Sequence, residues 1–206
     1  MTTLEVQMPW HSAALGMIEL SESSAISVPR QSGRTRVGLD ASLRASVRGE
    51  RVLYLTDGWE QSKDALARFT HPLKLNDPHV LARVRKAHGA CEVELTNGGL
   101  VHFAPYGSRG IRGRFDLTVC DDYRGHSIDD VLVNTDRILY AGLGSMPSGV
   151  PTFRIGANRD DDVDDEDVWE RVHPGVGITT TVAILRRLHQ SLTRERFAVE
   201  ILNIEP

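Results

Sequence analysis

Cysteine is scarce in this chain, with only Cys91 and Cys120 among 206 residues. Neither stands in a paired metal-ligand spacing, which argues against a zinc-stapled scaffold and points to buried thiols in a reducing compartment. Long apolar runs are also missing. None approaches the roughly 18 residues that a membrane span needs. Met1-Thr2-Thr3-Leu4-Glu5 has no basic n-region and no apolar h-region, so no secretory signal is expected. Positive charge is not in excess: 24 Lys and Arg against 28 Asp and Glu leave a formal net charge of -4. That excludes a simple basic nucleic-acid binder, though not a local basic face. Eight histidines are present, but no two stand four apart with a Glu between them, which disfavours a metalloprotease helix. No Gly-x-Ser-x-Gly elbow exists for a hydrolase triad, and there is no internal repeat.

What is present is ordinary for a folded chain. Hydrophobic residues make up 40% and charged residues 25%, enough to bury a sizeable core without staples. The length suits one domain, or one with a small appendage. Strand-like and helix-like stretches alternate, which predicts an α/β fold. Residues 25–28 read as a short strand, 35–47 as a helix with Val37, Leu39, Leu43 and Val47 on one side, and 51–56 as the next strand. Together they predict one strand–loop–helix–strand unit with a parallel crossover. Residues 61–69 read as a helix, and 78–88 as another, stopped by Gly89. Residues 91–95 and 100–103 form strands about an Asn97-Gly98 hairpin turn. A basic glycine loop over 106–114 leads to a buried strand over 115–120 that ends in Asp121-Asp122. Residues 138–141 read as a further core strand. Eight of the eleven residues from Asp160 to Glu170 are acidic, which predicts a solvated loop or linker. Two closing helices follow, over 178–191 and 193–201.

Three features carry chemistry, one of them the arginine-rich glycine loop over 106–114, whose exposed Arg could complete a neighbour's site, touch DNA phosphate or simply be solvated. Val28-Pro29-Arg30-Gln31-Ser32-Gly33-Arg34-Thr35 places a glycine, a cation and a hydroxyl at the mouth of a helix. Backbone N–H groups there can face phosphate oxygens, the cation can reach the terminal phosphates, and Thr35 can ligate Mg²⁺. The usual pattern opens on a Gly where Val28 stands, and carries Lys where Arg34 stands. The second feature is the strand tip Asp121-Asp122, which can hold Mg²⁺ and orient a water, or can serve simply as a turn.

In order along the chain these segments resemble the ATPase part of tailed-phage terminase large subunits. Residues 28–35 are similar to that family's phosphate loop, 115–122 to its Walker B strand and Gly142-Leu143-Gly144-Ser145 to its coupling motif. Val168-Trp169-Glu170-Arg171-Val172-His173-Pro174 and the helix carrying Phe197-Ala198-Val199-Glu200 are similar to its closing segments.

The resemblance implies a P-loop NTPase with a mostly parallel central sheet flanked by helices, plus a small C-terminal helical subdomain. Its boundaries would be 1–158 for the ATPase core and 159–206 for an acidic linker and helical lid. It implies ATP and Mg²⁺, with Arg30, Gln31, Ser32, Gly33, Arg34 and Thr35 around the phosphates and His11, beside Trp10, at the adenine. Thr35 and Asp121 would hold the metal, Asp122 would polarise the attacking water, and Gly142, Gly144 and Ser145 would couple hydrolysis to motion. Arg112, or its neighbours Arg109 and Arg114, would reach the next subunit's nucleotide in a homo-oligomeric ring. The partners it implies are double-stranded DNA, a portal, a small terminase subunit and a separately encoded nuclease, in the host cytoplasm and away from membranes. The chain stops where the family's nuclease would begin, so an ATPase module alone is expected.

Three departures bear on turnover. Arg34 is a planar fork where the family has a compact ammonium. Asp122 is one methylene shorter than the family's Glu, and His11 stands in place of Gln. The expectation is therefore an ATPase that couples hydrolysis to DNA translocation or, alternatively, a degenerate nucleotide-binding assembly partner. No acceptor or lid motif favours a small-molecule kinase.

Overall fold

Strands with near-continuous apolar runs are suited to burial on both faces of a parallel sheet. Five strands with most of their residues buried occupy the middle of one sheet in the computed structural model, which describes residues 8–87, 90–109, 111–128, 134–144 and 146–205. They are β1 (Ser23–Ser27), β2 (Arg51–Thr56), β5 (Leu100–Pro105), β6 (Phe115–Tyr123) and β7 (Thr135–Gly142). β3 (Leu81–Ala87), β4 (Ala90–Leu95) and β8 (Thr152–Arg154) complete the eight-stranded order β3-β4-β5-β2-β6-β7-β1-β8. β3, β4 and β5 pair antiparallel, and all other neighbours pair parallel. β1 and β2 are not direct neighbours as the strand–helix–strand reading suggests. The apolar strands β6 and β7, later in the chain, insert between them.

The segment over 78–88 is not the expected helix. After one 3-10 turn, Pro78–Val80, its described residues form β3. Leu81 and Val84 mimic helical spacing, but cross-strand charge decides the outcome. Arg83 and Arg85 lie opposite Glu94 and Glu92 in register, at 2.7 and 3.5 Å, and opposite charges directly across a ladder stabilise the pairing.

α1 (His11–Leu20), α2 (Arg34–Val47) and α3 (Trp59–Asn76) cover one face of the sheet. α3 runs past Phe69 and through Pro72, because Phe69 and Leu73 keep packing on the core. On the other face Tyr106, Ile111, Ile128, Met146 and Val150 pack over Leu53, Leu55, Cys120 and Tyr140. Cys120 is inert there, since burial pushes its thiol up to about 12.

The C-terminal helices α4 (Glu166–Val172), α5 (Val182–Ser191) and α6 (Arg194–Glu200) gather around Trp169, Leu185 and Phe197. Asp165, Thr181 and Thr193 cap them. The acidic run is only partly loop. Its second half is α4, and Asp161, Glu166 and Asp164 meet Arg171, Arg186 and His189. Val163 and Trp169 anchor it, with the Trp169 indole donating to the Val163 carbonyl at 2.7 Å.

Candidate active site

The parallel strands direct their C-terminal ends to one edge, the usual place for ligand sites in such sheets. A cleft of about 810 Å³ opens there, between the β1–α2 loop, the end of β2, the tip of β6 and helices α5 and α6. The loop is held in an unusual backbone form. Gln31 and Gly33 both take positive φ, at 61° and 85°. At Gly33 a side chain would also collide with the ring beneath, since a Cβ there would lie 2.7 Å from His11 Nε2. The loop therefore needs glycine for both reasons. α2 begins with no side-chain cap, so its first N–H groups remain available at the positive end of a 14-residue helix.

The tip of β6 faces this loop. A β-bulge separates Asp121 and Tyr123 in the pairing with β7, and Asp122, the extra residue, takes φ 51°. Successive strand residues normally point to opposite faces, but the bulge re-aims Asp122, and both carboxylates line the cleft. Thr35 Oγ1 donates to Asp121 Oδ1 at 3.3 Å, and the buried Tyr54 hydroxyl donates to Asp121 Oδ2 at 2.9 Å. Burial pushes the Asp121 carboxyl above its ordinary range, with Arg34, Tyr54 and Thr35 pulling the other way. Tyr54 is pushed well above the usual phenol value, by burial first and by Asp121 next.

Arg34 is turned onto the same tip. It donates to Asp122 Oδ1 at 2.6 Å and to the Gly142 carbonyl at 2.7 Å, while its Nε is buried with no partner among the described residues. Burial pulls the guanidinium below its ordinary value, against the opposing pull of Asp122 and Asp121. Arg124 takes the other Asp122 oxygen at 2.9 Å. In this arrangement both Asp122 oxygens are occupied.

The loop is also gripped from the C-terminal side. The Arg30 N–H donates to the Glu200 carbonyl at 2.9 Å, and its guanidinium meets the Glu200 carboxylate at 2.5 Å. Burial works to raise the Glu200 carboxyl, but hydrogen bonds from Arg196 and Arg30 outweigh it and leave it lowered. His173 Nδ1 accepts from Gly175 N–H, which leaves Nε2–H to donate to the Arg30 carbonyl at 3.0 Å. Burial lowers the His173 pKa and favours this neutral form.

Of the residues expected at the site, Arg30, Gln31, Gly33, Arg34, Thr35, Asp121 and Asp122 line the cleft. Ser32 is fully buried in the loop, its hydroxyl unpartnered among the described residues. His11 does not line the cleft. It is 1% exposed beneath Gly33, edge-on to Trp10, and burial lowers its pKa. Arg109 and Arg112 are exposed and away from the cleft, and Arg114 pairs with Asp136. Gly142 accepts from Arg34 as noted, and Ser145 lies outside the described residues.

Gly144 belongs to a network that sequence reasoning missed. Asn203 Oδ1 accepts from Gly144 N–H at 3.0 Å, and its Nδ2 donates to Ser27 Oγ and to the Ile155 carbonyl. Ser27 Oγ in turn donates to the Gly144 carbonyl at 3.1 Å. This fully buried ring ties β1, the segment after β7 and the C-terminus together. Replacing Asn203 by alanine strands several buried donors and acceptors, at about 3 kcal/mol of stability. Urea denaturation should show that loss as a lower midpoint, and an unchanged midpoint would remove the network from the account.

Tyr54 and the pair Asp57–His126 were likewise not anticipated. Tyr54 carries the only sequence signal, a phenol inside an apolar strand, which needs a partner when buried.

In the sheet, the loop-bearing β1 is separated from the acid-tipped β6 by β7, and Thr35 meets Asp121 across that gap. The fold is that of a P-loop NTPase. Its likeness to a solved structure agrees: it is similar to an arginine-to-alanine variant of the large terminase ATPase domain of Thermus phage P74-26. That match spans 91% of each chain with a TM-score of 0.58 and 11% identity. No model of a known protein family and no curated protein matches the sequence. Among the described residues, no helix is long and apolar enough to cross a membrane.

Proposed function

We propose that this chain binds and hydrolyses ATP as the motor module of a viral DNA-packaging terminase. The observation that carries the reading is the meeting of Thr35 and Asp121 at 3.3 Å beneath an uncapped helix start. The residues present fit a magnesium-bound triphosphate. Gly33 lets the loop take its positive φ closely over His11, Arg34 keeps an Nε unpartnered among the described residues, and one hydroxyl with one carboxylate suits an ion that retains most of its waters. Thr35 and Asp121 would hold Mg²⁺, which when bound neutralises charge developing on the phosphate oxygens. Loop N–H groups at Gly33–Thr35 bind and orient the phosphates. Arg34 leaves Asp122 for the terminal phosphate, which frees a carboxylate oxygen to polarise water. Gly142 loses the Arg34 contact in the same event, so that Gly142 and Gly144, with Ser145, pass the change on to the Asn203 ring.

Residues 159–206 then form a helical lid over a 1–158 core, gripping the loop through Glu200 and His173. Arg112, exposed and outside the lining of its own cleft, would complete a neighbour's site in a homo-oligomeric ring. Double-stranded DNA, a portal, a small terminase subunit and a separate nuclease are the partners of that reading, in the host cytoplasm. A specific observation favours a second reading, a nucleotide-binding assembly partner without turnover: the ion pair that occupies Arg34 and Asp122.

Titration with mant-ATP and Mg²⁺, followed by phosphate release, separates the two. The motor reading expects release by the unaltered chain, lost in Arg34→Ala. Binding without release supports the partner.

A further inference from the structure

The cleft is lined by five carboxylates, and four are committed. Asp121 is held by Thr35 and Tyr54, and Asp122 by Arg34 and Arg124. Asp64 is paired with Arg68 at 2.8 Å, and Glu200 with Arg30 and Arg196. The fifth, Asp57, forms no ion pair with an arginine among the described residues, although Arg124 lies near enough to feel its charge. The contact of Asp57 is His126 Nε2, 3.1 Å from Oδ1. Asp57 directly follows β2, two residues beyond the last β2–β6 pair, Leu55 with Cys120, and lines the same cleft as Asp122 at the tip of β6. It sits just before α3, where Asp often caps, yet Gly58 is the cap residue and no side chain caps that helix. His126 is fixed behind it. The Tyr106 ring stacks on the imidazole at 4.2 Å, and the Tyr106 hydroxyl donates to the Asp121 carbonyl at 2.9 Å. The same strand tip that presents Asp121 thus orients the Asp57–His126 pair.

We infer that Asp57 is the general base for the attacking water, with His126 as its positioning residue. Asp122 stays paired with Arg124 after Arg34 has moved to phosphate, whereas the Asp57 oxygen turned away from His126 has no hydrogen bond among the described residues and can take up a proton. In the step, the water oxygen forms a bond to the terminal phosphorus of a nucleoside triphosphate, and its proton passes to the free oxygen of Asp57. The bond from that phosphorus to the bridging oxygen breaks, and the electron pair leaves with the diphosphate. Asp57 then releases its proton to solvent. Asp122 holds Arg34 until phosphate arrives, and its freed oxygen then helps to polarise the water whose proton Asp57 takes.

This inference rests on the hydrolytic reading of the cleft, so binding and turnover are measured separately. Asp57→Asn is expected to bind mant-ATP with Mg²⁺ as the unaltered chain does and to lose about 10²–10³-fold in phosphate release. Asp57→Glu should recover part of that loss. Glu60→Gln, which removes an exposed carboxylate near the start of α3 outside the cleft lining, should stay within about threefold of the unaltered rate. His126→Ala should lower kcat about tenfold with KM unchanged, and His126→Gln, which keeps a donor toward Asp57, should restore it. Unchanged release from Asp57→Asn overturns the base assignment alone, as does loss of binding in that variant or binding without release by the unaltered chain. Failure of the unaltered chain to bind nucleotide overturns the site reading, and the base assignment with it.

Discussion

Asp121→Asn is expected to lower Mg²⁺-dependent phosphate release by about 10³-fold, because a neutral amide cannot replace the carboxylate that holds the metal. Nucleotide affinity measured with Mg²⁺ should fall toward the value measured with EDTA. Folding should be spared. Burial raises the Asp121 pKa, so its charged form is disfavoured in the folded protein. A carboxyl raised in this way costs stability once the pH exceeds its unfolded value, and the cost grows until the pH passes the folded value. At neutral pH the asparagine removes that cost and can still accept from Tyr54. The thermal midpoint is therefore expected to hold or rise while activity collapses. A variant that loses both together would mean that Asp121 is a structural residue.

Gly142→Ala is expected to destabilise the chain by about 3 kcal/mol, near the upper end for overpacking. The obstruction is backbone. A Cβ at Gly142 would lie 2.2 Å from the Tyr123 carbonyl oxygen, and that carbonyl belongs to the bulged end of β6. Relief requires β6 and β7 to separate where Arg34 is anchored, so nucleotide binding should weaken as well. Gly16→Ala is the control. Gly16 sits within α1 with nothing within 4 Å of its Cβ position, and alanine there should stabilise by about 1 kcal/mol. Thermal melts of both variants check the pair. A neutral Gly142→Ala would mean that the strand tip is looser than its pairing implies.

Much of the site was legible because its chemistry is local. The loop over 28–35 carries its own turn, and its glycine and hydroxyl are fixed in spacing by the helix they open. The acidic strand tip was legible because four apolar residues, Phe115, Leu117, Val119 and Cys120, precede it. What could not be read depends on partners far away in sequence. Asn203 satisfies Ser27 across 176 residues, and Asp57 finds His126 across 69. No local pattern encodes such meetings. The bulge that turns Asp122 into the cleft was hidden too, because alternation within β6 alone would send one of the two acids to the far face. β3 was misread because two apolar residues three apart fit a helix as well as an irregular edge strand. Only the facing glutamates of β4 distinguish the two. His11 shows the same limit: the family resemblance implied a place at the adenine, but packing put it beneath Gly33.

The account stands on the cleft between Gly33–Thr35 and Asp121 being the seat of a magnesium-bound triphosphate. A crystal structure of the chain with Mg²⁺ and a non-hydrolysable ATP analogue tests that most directly. The expected result is the terminal phosphates against the start of α2, metal density between Thr35 and Asp121, and the Arg34 guanidinium moved from Asp122 onto phosphate. Nucleotide bound elsewhere, or absent at saturating concentration with the Arg34–Asp122 pair intact, would contradict it.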